Sequence, residues 1–249
     1  MNTAPPSLPP QNPFSTQPSE PVAVNEDDPY LLKAMTQKPS WLNAVAALLK
    51  SPGSVIYELG EAQSKRIAAG LIFCLILCFL GFGLLLGTYS GGQQLWMAPV
   101  KILLGTLASA AICLPSFIIF SYLSGVECPP SRLLAILLTM LTLVGLLLLG
   151  FAPVIWVFAQ SSTSESFMGT LAIVFWVIAI AFGVRLVRNV CAVLGAKNTS
   201  GVLAWGLIFL LVTFQMTAAL RPIIGEGTNF LPTTKVFFLK FWGEQMDAP

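Results

Sequence analysis

Residues 133–150 read LLAILLTMLTLVGLLLLG, a stretch without a charged side chain. A charge at the centre of a bilayer costs at least ~2.5 kcal/mol, so charge-free apolar runs mark membrane-spanning segments. Each run that is long enough supplies the roughly 20 residues needed to cross a hydrocarbon core of about 30 Å. The chain has five such runs, at residues 67–100, 102–126, 133–164, 166–184 and 198–220. The sequence therefore predicts an all-α fold, a polytopic membrane helical bundle of five transmembrane helices.

The composition of the chain excludes several classes of protein. Of its 249 residues, 55% are hydrophobic and 10% are charged, whereas roughly a quarter of the residues of soluble domains are charged. The formal net charge of +2 is too small to indicate a nucleic-acid partner. Histidine is absent, so the chain lacks the side chain most used for acid–base catalysis and for metal binding. We therefore expect neither an enzyme nor a cofactor.

The charge-free runs also predict the bounds of the helices. Trimming polar and turn residues from their ends gives helices near 66–88, 100–124, 132–159, 167–190 and 201–221. Glycines and polar side chains in residues 87–94 predict a loop between the first two transmembrane helices.

The regions outside the bundle differ in composition. Residues 1–40 contain nine of the eighteen prolines and are expected to be disordered, because they cannot bury enough apolar surface. At the end of this tail, Asp28 before Pro29 predicts the start of a helix. Residues 63–222 form the transmembrane domain, and the aromatic-rich residues 223–249 are expected to lie along the membrane interface.

Residues 41–62 predict two short amphipathic helices before the bundle, because apolar residues recur there at helical spacing and Pro52 restarts the pattern. Trp41 would suit the headgroup level of a membrane. The basic side chains Lys50, Lys65 and Arg66 could contact anionic lipid. Two interpretations stay open: these helices lie on lipid, or they form a cytoplasmic cap packed on the bundle.

The distribution of basic residues predicts the orientation of the chain. Positively charged flanks resist translocation. With a cytoplasmic N-terminus, seven lysines and arginines near the helix ends would lie inside and four outside. We therefore expect a multi-pass protein with its N-terminus in the cytoplasm. The expected location is a bacterial inner (plasma) membrane, with an endomembrane as the alternative that the basic residues leave open.

The central parts of the predicted spans contain no ionisable residue, which argues against catalysis or a carboxylate relay within the membrane. Lys101 and Arg132 flank spans, and we expect their side chains to reach the interface. Gln215 is the strongest polar side chain inside a span and is expected to contact a neighbouring helix. Glu58 and Glu61 lie one turn apart on a predicted solvated face.

The cysteines show no pattern typical of a metal site, because none forms a CxxC pair and no histidine joins them. In apolar spans such thiols behave as small hydrophobic side chains. No metal is predicted for this set, which is Cys74, Cys78, Cys113, Cys128 and Cys191.

Small residues at a spacing of four predict close approach of helices. The pairs are Gly83 with Gly87 in the first span and Gly105 with Ser109 in the second. They could serve packing within the chain or a homo-oligomer. Prolines within the second and third spans, Pro115 and Pro153, predict local kinks or breaks.

The overall plan resembles the Yip family of membrane proteins. The resemblance covers about residues 40–222. It consists of the N-terminal tail, the amphipathic segment 41–62, which we call the prelude, and five closely spaced helices. Residues 114–125, LPSFIIFSYLSG, also look like that family's second span and its exit. It implies a five-span domain with a cytoplasmic N-terminus. It also implies a non-enzymatic role, since eukaryotic Yip proteins associate with Rab-type GTPases and shape or sort trafficking membranes. No GTPase-binding motif is recognisable here, so no functional residue is carried over.

These observations lead to two functional hypotheses. The first is a scaffold or adaptor in membrane organisation or trafficking, which acts through its cytoplasmic N-terminal region on membrane lipids or on a membrane or cytoplasmic protein partner. The alternative is a transporter or permease subunit for an apolar or zwitterionic solute, which would pass through a bundle kinked at its prolines.

Overall fold

The computed structural model describes residues 28–36, 40–60, 64–162 and 164–219. The predictions for residues 1–27 and 223–249 lie outside these ranges. Five of the helices are long and apolar enough to cross a membrane, which confirms the predicted fold class. The helices are α1 Trp41–Lys50, α2 Pro52–Glu58, α3 Ser64–Ser90, α4 Gln94–Leu123, α5 Pro130–Ser161, α6 Glu165–Val193 and α7 Ser200–Ala219.

The break between α3 and α4 is shorter than the sequence suggested. A loop was predicted over residues 87–94, but α3 continues to Ser90 and α4 begins at Gln94. The hydroxyl of Thr88 donates to the carbonyl of Leu85 at 2.7 Å, so the helix itself satisfies this polar side chain. The turn is left to Gly91 and Gly92, whose φ angles of 68° and 54° favour glycine.

The five long helices form a closed ring in the order α3, α4, α7, α6, α5. Aromatic side chains fill its interior. The ring of Trp176 on α6 lies 5.9 Å from that of Phe79 and 6.4 Å from that of Phe82, both on α3. Because all three side chains are buried, the centre of the bundle is packed at this level.

Two loops interlock at one end of the ring. Helices α4 and α6 both end with a glycine at positive φ, Gly125 at 91° and Gly195 at 93°, in hydrogen-bond patterns typical of the Schellman motif. The backbone N–H of Lys197 then donates to the carbonyl of Ser124 at 2.9 Å. We call this end of the bundle the capped end, because α1 and α2 also pack there.

The prolines inside the spans do not interrupt their helices. Helix α4 runs through Pro115 and α5 runs through Pro153, so the structure contains no break at either predicted position. Near Pro115, the carbonyl of Cys113 accepts hydrogen bonds from the hydroxyl of Ser116 at 2.8 Å and from the indole N–H of Trp205 on α7 at 3.1 Å. Helix α7 is thereby fastened to α4 at this level.

Candidate functional site

Helices α1 and α2 form a cap on the bundle. Helix α1 contacts α3 and α5, and α2 contacts α5. The apolar side chains of Ala44, Leu48, Val55 and Ile56 are at most 1% exposed and belong to the same core cluster as the bundle. The sequence left open whether residues 41–62 lie on lipid or pack on the bundle. Their buried apolar face packs on the bundle.

Residues 28–36 form a strap that lies across α2. The N–H of Gly53 donates to the carbonyl of Pro29 at 3.1 Å, which satisfies one of the free amides at the start of α2. The prediction that Asp28 begins a helix is wrong: its carboxylate accepts from the N–H of Tyr30 at 2.9 Å and closes a turn instead. Aspartate favours both structures, and here the contact with α2 decides between them.

Glu58 fastens the other end of the strap. Its carboxylate accepts a hydrogen bond from the N–H of Met35 at 3.1 Å, and the residue is only 8% exposed. The predicted solvated face is therefore wrong for Glu58, while Glu61 lies outside the described residues. The strap covers Glu58, and a segment without regular structure leaves no periodic pattern in the sequence by which this contact could be predicted.

The apolar side of α1 is wider than the area that the bundle covers. Leu42 and Leu49 are 60% and 62% exposed. Trp41 packs on Gly70 and lies edge-to-face against Phe73, with 6.4 Å between ring centroids. The part of α3 that is long and apolar enough to cross a membrane begins at Lys65. Trp41 therefore lies beside the first turns of a candidate span, where an aromatic side chain suits the headgroup region.

Basic residues gather at the capped end. Lys50, Lys65 and Arg66, the candidate lipid contacts, are all exposed there. Among the described residues, every lysine and arginine except Lys101 lies at this end, because each of the others is in the strap, α1, the first turn of α3 or α5, the last third of α6 or the loop before α7.

A polar notch opens between the strap and α1. It has a volume of about 160 Å³. Met35 and Thr36 of the strap, Asn43, Ala46 and Lys50 of α1, and Ser51 and Ser54 at the start of α2 line it. The strap thus creates a concave, partly charged surface on the outer side of the cap.

Lys101 is buried, contrary to the prediction that its side chain reaches the interface. Helix α4 begins at Gln94, seven residues before Lys101, so about two helical turns separate this lysine from the helix end. The residue is 0% exposed and engages a partner within the chain. Gln215, the other polar residue singled out, is half-buried in the last turns of α7.

The small residues all face other parts of the bundle. Gly83, Gly87, Gly105 and Ser109 are buried. A Cβ at Gly83 would overlap the backbone of Pro99 on α4, so α3 and α4 cross at this glycine. The hydroxyl of Ser109 donates to the carbonyl of Gly105 at 2.8 Å within its own helix.

Within residues 28–36, 40–60, 64–162 and 164–219, no three cysteine or acidic side chains come together in a group that could hold a metal ion. The five cysteines are free thiols. Cys128 is the one of the five that lies in a loop, between α4 and α5. Burial raises the pKa of the Cys128 thiol, and the nearby charge of Arg132 acts in the opposite direction.

Replacing Gly53 by alanine is expected to release the strap. A Cβ at this position would overlap the backbone carbonyls of Leu31 and Tyr30, and backbone atoms cannot move aside as a flexible side chain can. We expect amide hydrogen exchange in residues 30–36 to rise at least about tenfold. The control is Gly150→Ala, because a Cβ there meets nothing within 4 Å. Unchanged exchange in Gly53→Ala would contradict the described contact.

Replacing Arg132 by glutamine is expected to slow alkylation of Cys128. The thiolate is the reacting species, and removal of the neighbouring positive charge raises the pKa of the thiol further. At any pH below that pKa, the alkylation rate should fall by about two- to fivefold. Rates measured against pH with a water-soluble maleimide test this, with Lys65→Gln as the matched loss of charge. Equal rates in Arg132→Gln and in the unmodified protein would refute it.

Comparison with known proteins found no family model, no curated protein and no solved structure that matches this chain. The site consists of the cap with its strap and notch, the basic residues around it, and the packed bundle that carries it.

Proposed function

We propose that the protein is a non-enzymatic integral membrane scaffold or adaptor that acts through its N-terminal region. The observation that carries this proposal is the strap, which hydrogen bonds at both ends to α2, to the amide of Gly53 and the carboxylate of Glu58. Fixing an irregular segment on the surface of a bundle costs conformational entropy. A surface that is held in one conformation binds a partner without that cost.

The proposed orientation places the capped end in the cytoplasm. Its support is the concentration of lysine and arginine at this end, including Lys65, Arg132 and Arg188, since basic flanks stay on the cytoplasmic side. A bacterial inner membrane and a relationship to the Yip family are part of the same proposal. Residues 1–27, which precede the strap in the sequence, would then lie on the cytoplasmic side.

The packed interior supports a scaffold in preference to a transporter. A solute that crossed the ring of helices would have to displace Trp176 from its contacts with Phe79 and Phe82. Aromatic side chains packed in this way resist displacement because they bury large areas. A transporter built on this ring would therefore need a second arrangement of its helices.

Site-specific photo-crosslinking in native membranes tests the proposal. A crosslinker at Ala46, which is exposed and lines the notch, should give a discrete protein adduct. The matched control is Leu77, which is 51% exposed on α3 and should give lipid adducts. Gly53→Ala should abolish the protein adduct at Ala46. Lipid adducts alone at both positions would contradict an adaptor that uses this surface.

A further inference from the structure

A second surface feature lies on the flank of the bundle where α6 and α7 meet. It is a groove of about 390 Å³. Its exposed lining is apolar, with Val177, Leu203 and Leu207 39%, 45% and 59% exposed. Ala181 is exposed in this lining, and Gly206 lets α7 approach Val184 of α6 closely. In a membrane this groove would open sideways to the lipid chains.

Two arginines close one end of the groove. Arg185 and Arg188 both line it and lie one helical turn apart on α6, at the capped end. No ion pair or hydrogen bond engages either guanidinium in the described parts of the chain. Because arginine cannot lose its proton under ordinary conditions, an unpaired guanidinium beside an apolar groove favours an anion.

The length of the groove matches one leaflet of a bilayer. Val177 and Arg188 are eleven residues apart on α6, which corresponds to about 16 Å of helix. Half of a hydrocarbon core of about 30 Å is about 15 Å. The whole groove, arginines included, thus has about the depth of one leaflet, with its apolar part toward the middle of α6 and the arginines toward the capped end, where a headgroup would lie.

We propose that the α6–α7 groove binds one anionic phospholipid of the surrounding membrane, with an acyl chain between the helices and its phosphate on Arg185 and Arg188. Guanidinium groups bind phosphate through paired charge-assisted hydrogen bonds, and basic pockets between transmembrane helices suit anionic headgroups. This site does not depend on the scaffold role proposed above. It lies on α6 and α7, away from the strap and the notch.

The α6–α7 groove differs in its basic residues from the larger groove between α3, α4 and α5. That groove has a volume of about 460 Å³ and a single cation, Lys65, in its lining. A lone flexible ammonium selects less strongly for phosphate than two guanidinium groups on one helix face. We therefore assign the specific lipid to the α6–α7 groove.

Lipid retention measured by native mass spectrometry tests the assignment. The full chain is purified from nanodiscs that contain equal amounts of phosphatidylglycerol and phosphatidylcholine. We expect phosphatidylglycerol to be retained preferentially, and the double variant Arg185→Gln with Arg188→Gln to reduce its retention by about tenfold. The matched control is Arg132→Gln with Lys197→Gln, which removes the same charge at the same end of the bundle, outside the lining of the groove, and should retain the lipid.

A further variant separates a bound lipid from a bound phosphate ion. Ala181→Phe fills the groove and keeps both arginines, so retention of phosphatidylglycerol should fall as it does in the double arginine variant. Equal loss in the Arg132 and Lys197 control would overturn the proposal, because it would indicate diffuse attraction to a basic surface. A dimer that covers this face without lipid would overturn it as well.

Discussion

Replacing Gly83 by alanine is expected to lower the free energy of unfolding by about 2–3 kcal/mol. The new methyl group would overlap the Cα of Pro99 and come within 3.0 Å of its nitrogen. Both atoms belong to the backbone of α4, so relief requires that the two helices move apart along their contact. Neighbouring side chains of the core, Phe82 and Leu86 among them, would lose packing as a result.

The same substitution at Gly150 gives the matched control. A Cβ there meets nothing within 4 Å, and the residue is exposed on α5, so Gly150→Ala should be neutral or stabilise the helix by up to about 1 kcal/mol. Reversible unfolding in mixed detergent micelles measures both variants. Equal effects would show that α3 and α4 do not cross at Gly83.

Replacing Trp205 by alanine is expected to destabilise the bundle by about 3–5 kcal/mol. The residue is 0% exposed, and its ring lies 4.5 Å from that of Phe117 and 5.5 Å from that of Phe209. Alanine would leave a cavity between α4 and α7 and would remove the indole donor to the carbonyl of Cys113.

Two controls bracket the contribution of Trp205. Trp205→Phe keeps an aromatic ring but loses the donor and part of the buried volume, so it should cost less than Trp205→Ala, about 1–3 kcal/mol. Trp96→Ala removes a tryptophan that is 77% exposed and should change stability by less than about 1 kcal/mol. The same unfolding assay reads all three variants. A loss in Trp205→Ala no larger than in Trp96→Ala would contradict the packed contact between α4 and α7.

The five long helices could be predicted because a membrane-spanning helix requires a long run of apolar residues without charge, and such runs are visible in the sequence. Each span must satisfy its own backbone hydrogen bonds and exclude charge, so charge-free runs located all five. Their ends were harder to predict. Helix α4 begins at Gln94, before the predicted residue 100, because the apolar residues 95–99 extend the second span, and hydropathy does not show which of two adjoining spans such residues join.

The parts that sequence reasoning missed depend on contacts between segments distant in the chain. Glu58 and Met35 are 23 residues apart, and neither shows a local pattern that reveals their hydrogen bond. Lys101 was expected at the end of a span, because charged residues normally mark the ends of membrane-spanning helices. Its burial follows from the length of α4 and from packing, which hydropathy does not encode.

We propose that the cap, ordered by its strap, is the surface through which the protein acts. Affinity capture from native membranes in mild detergent tests it, with mass spectrometry of the proteins, lipids and small molecules retained by the unmodified chain and by Gly53→Ala. We predict a stoichiometric protein partner that is retained by the first and lost from the second. The same partner in both, or a specific solute with no protein partner, would contradict the claim, and the second result would favour a transporter.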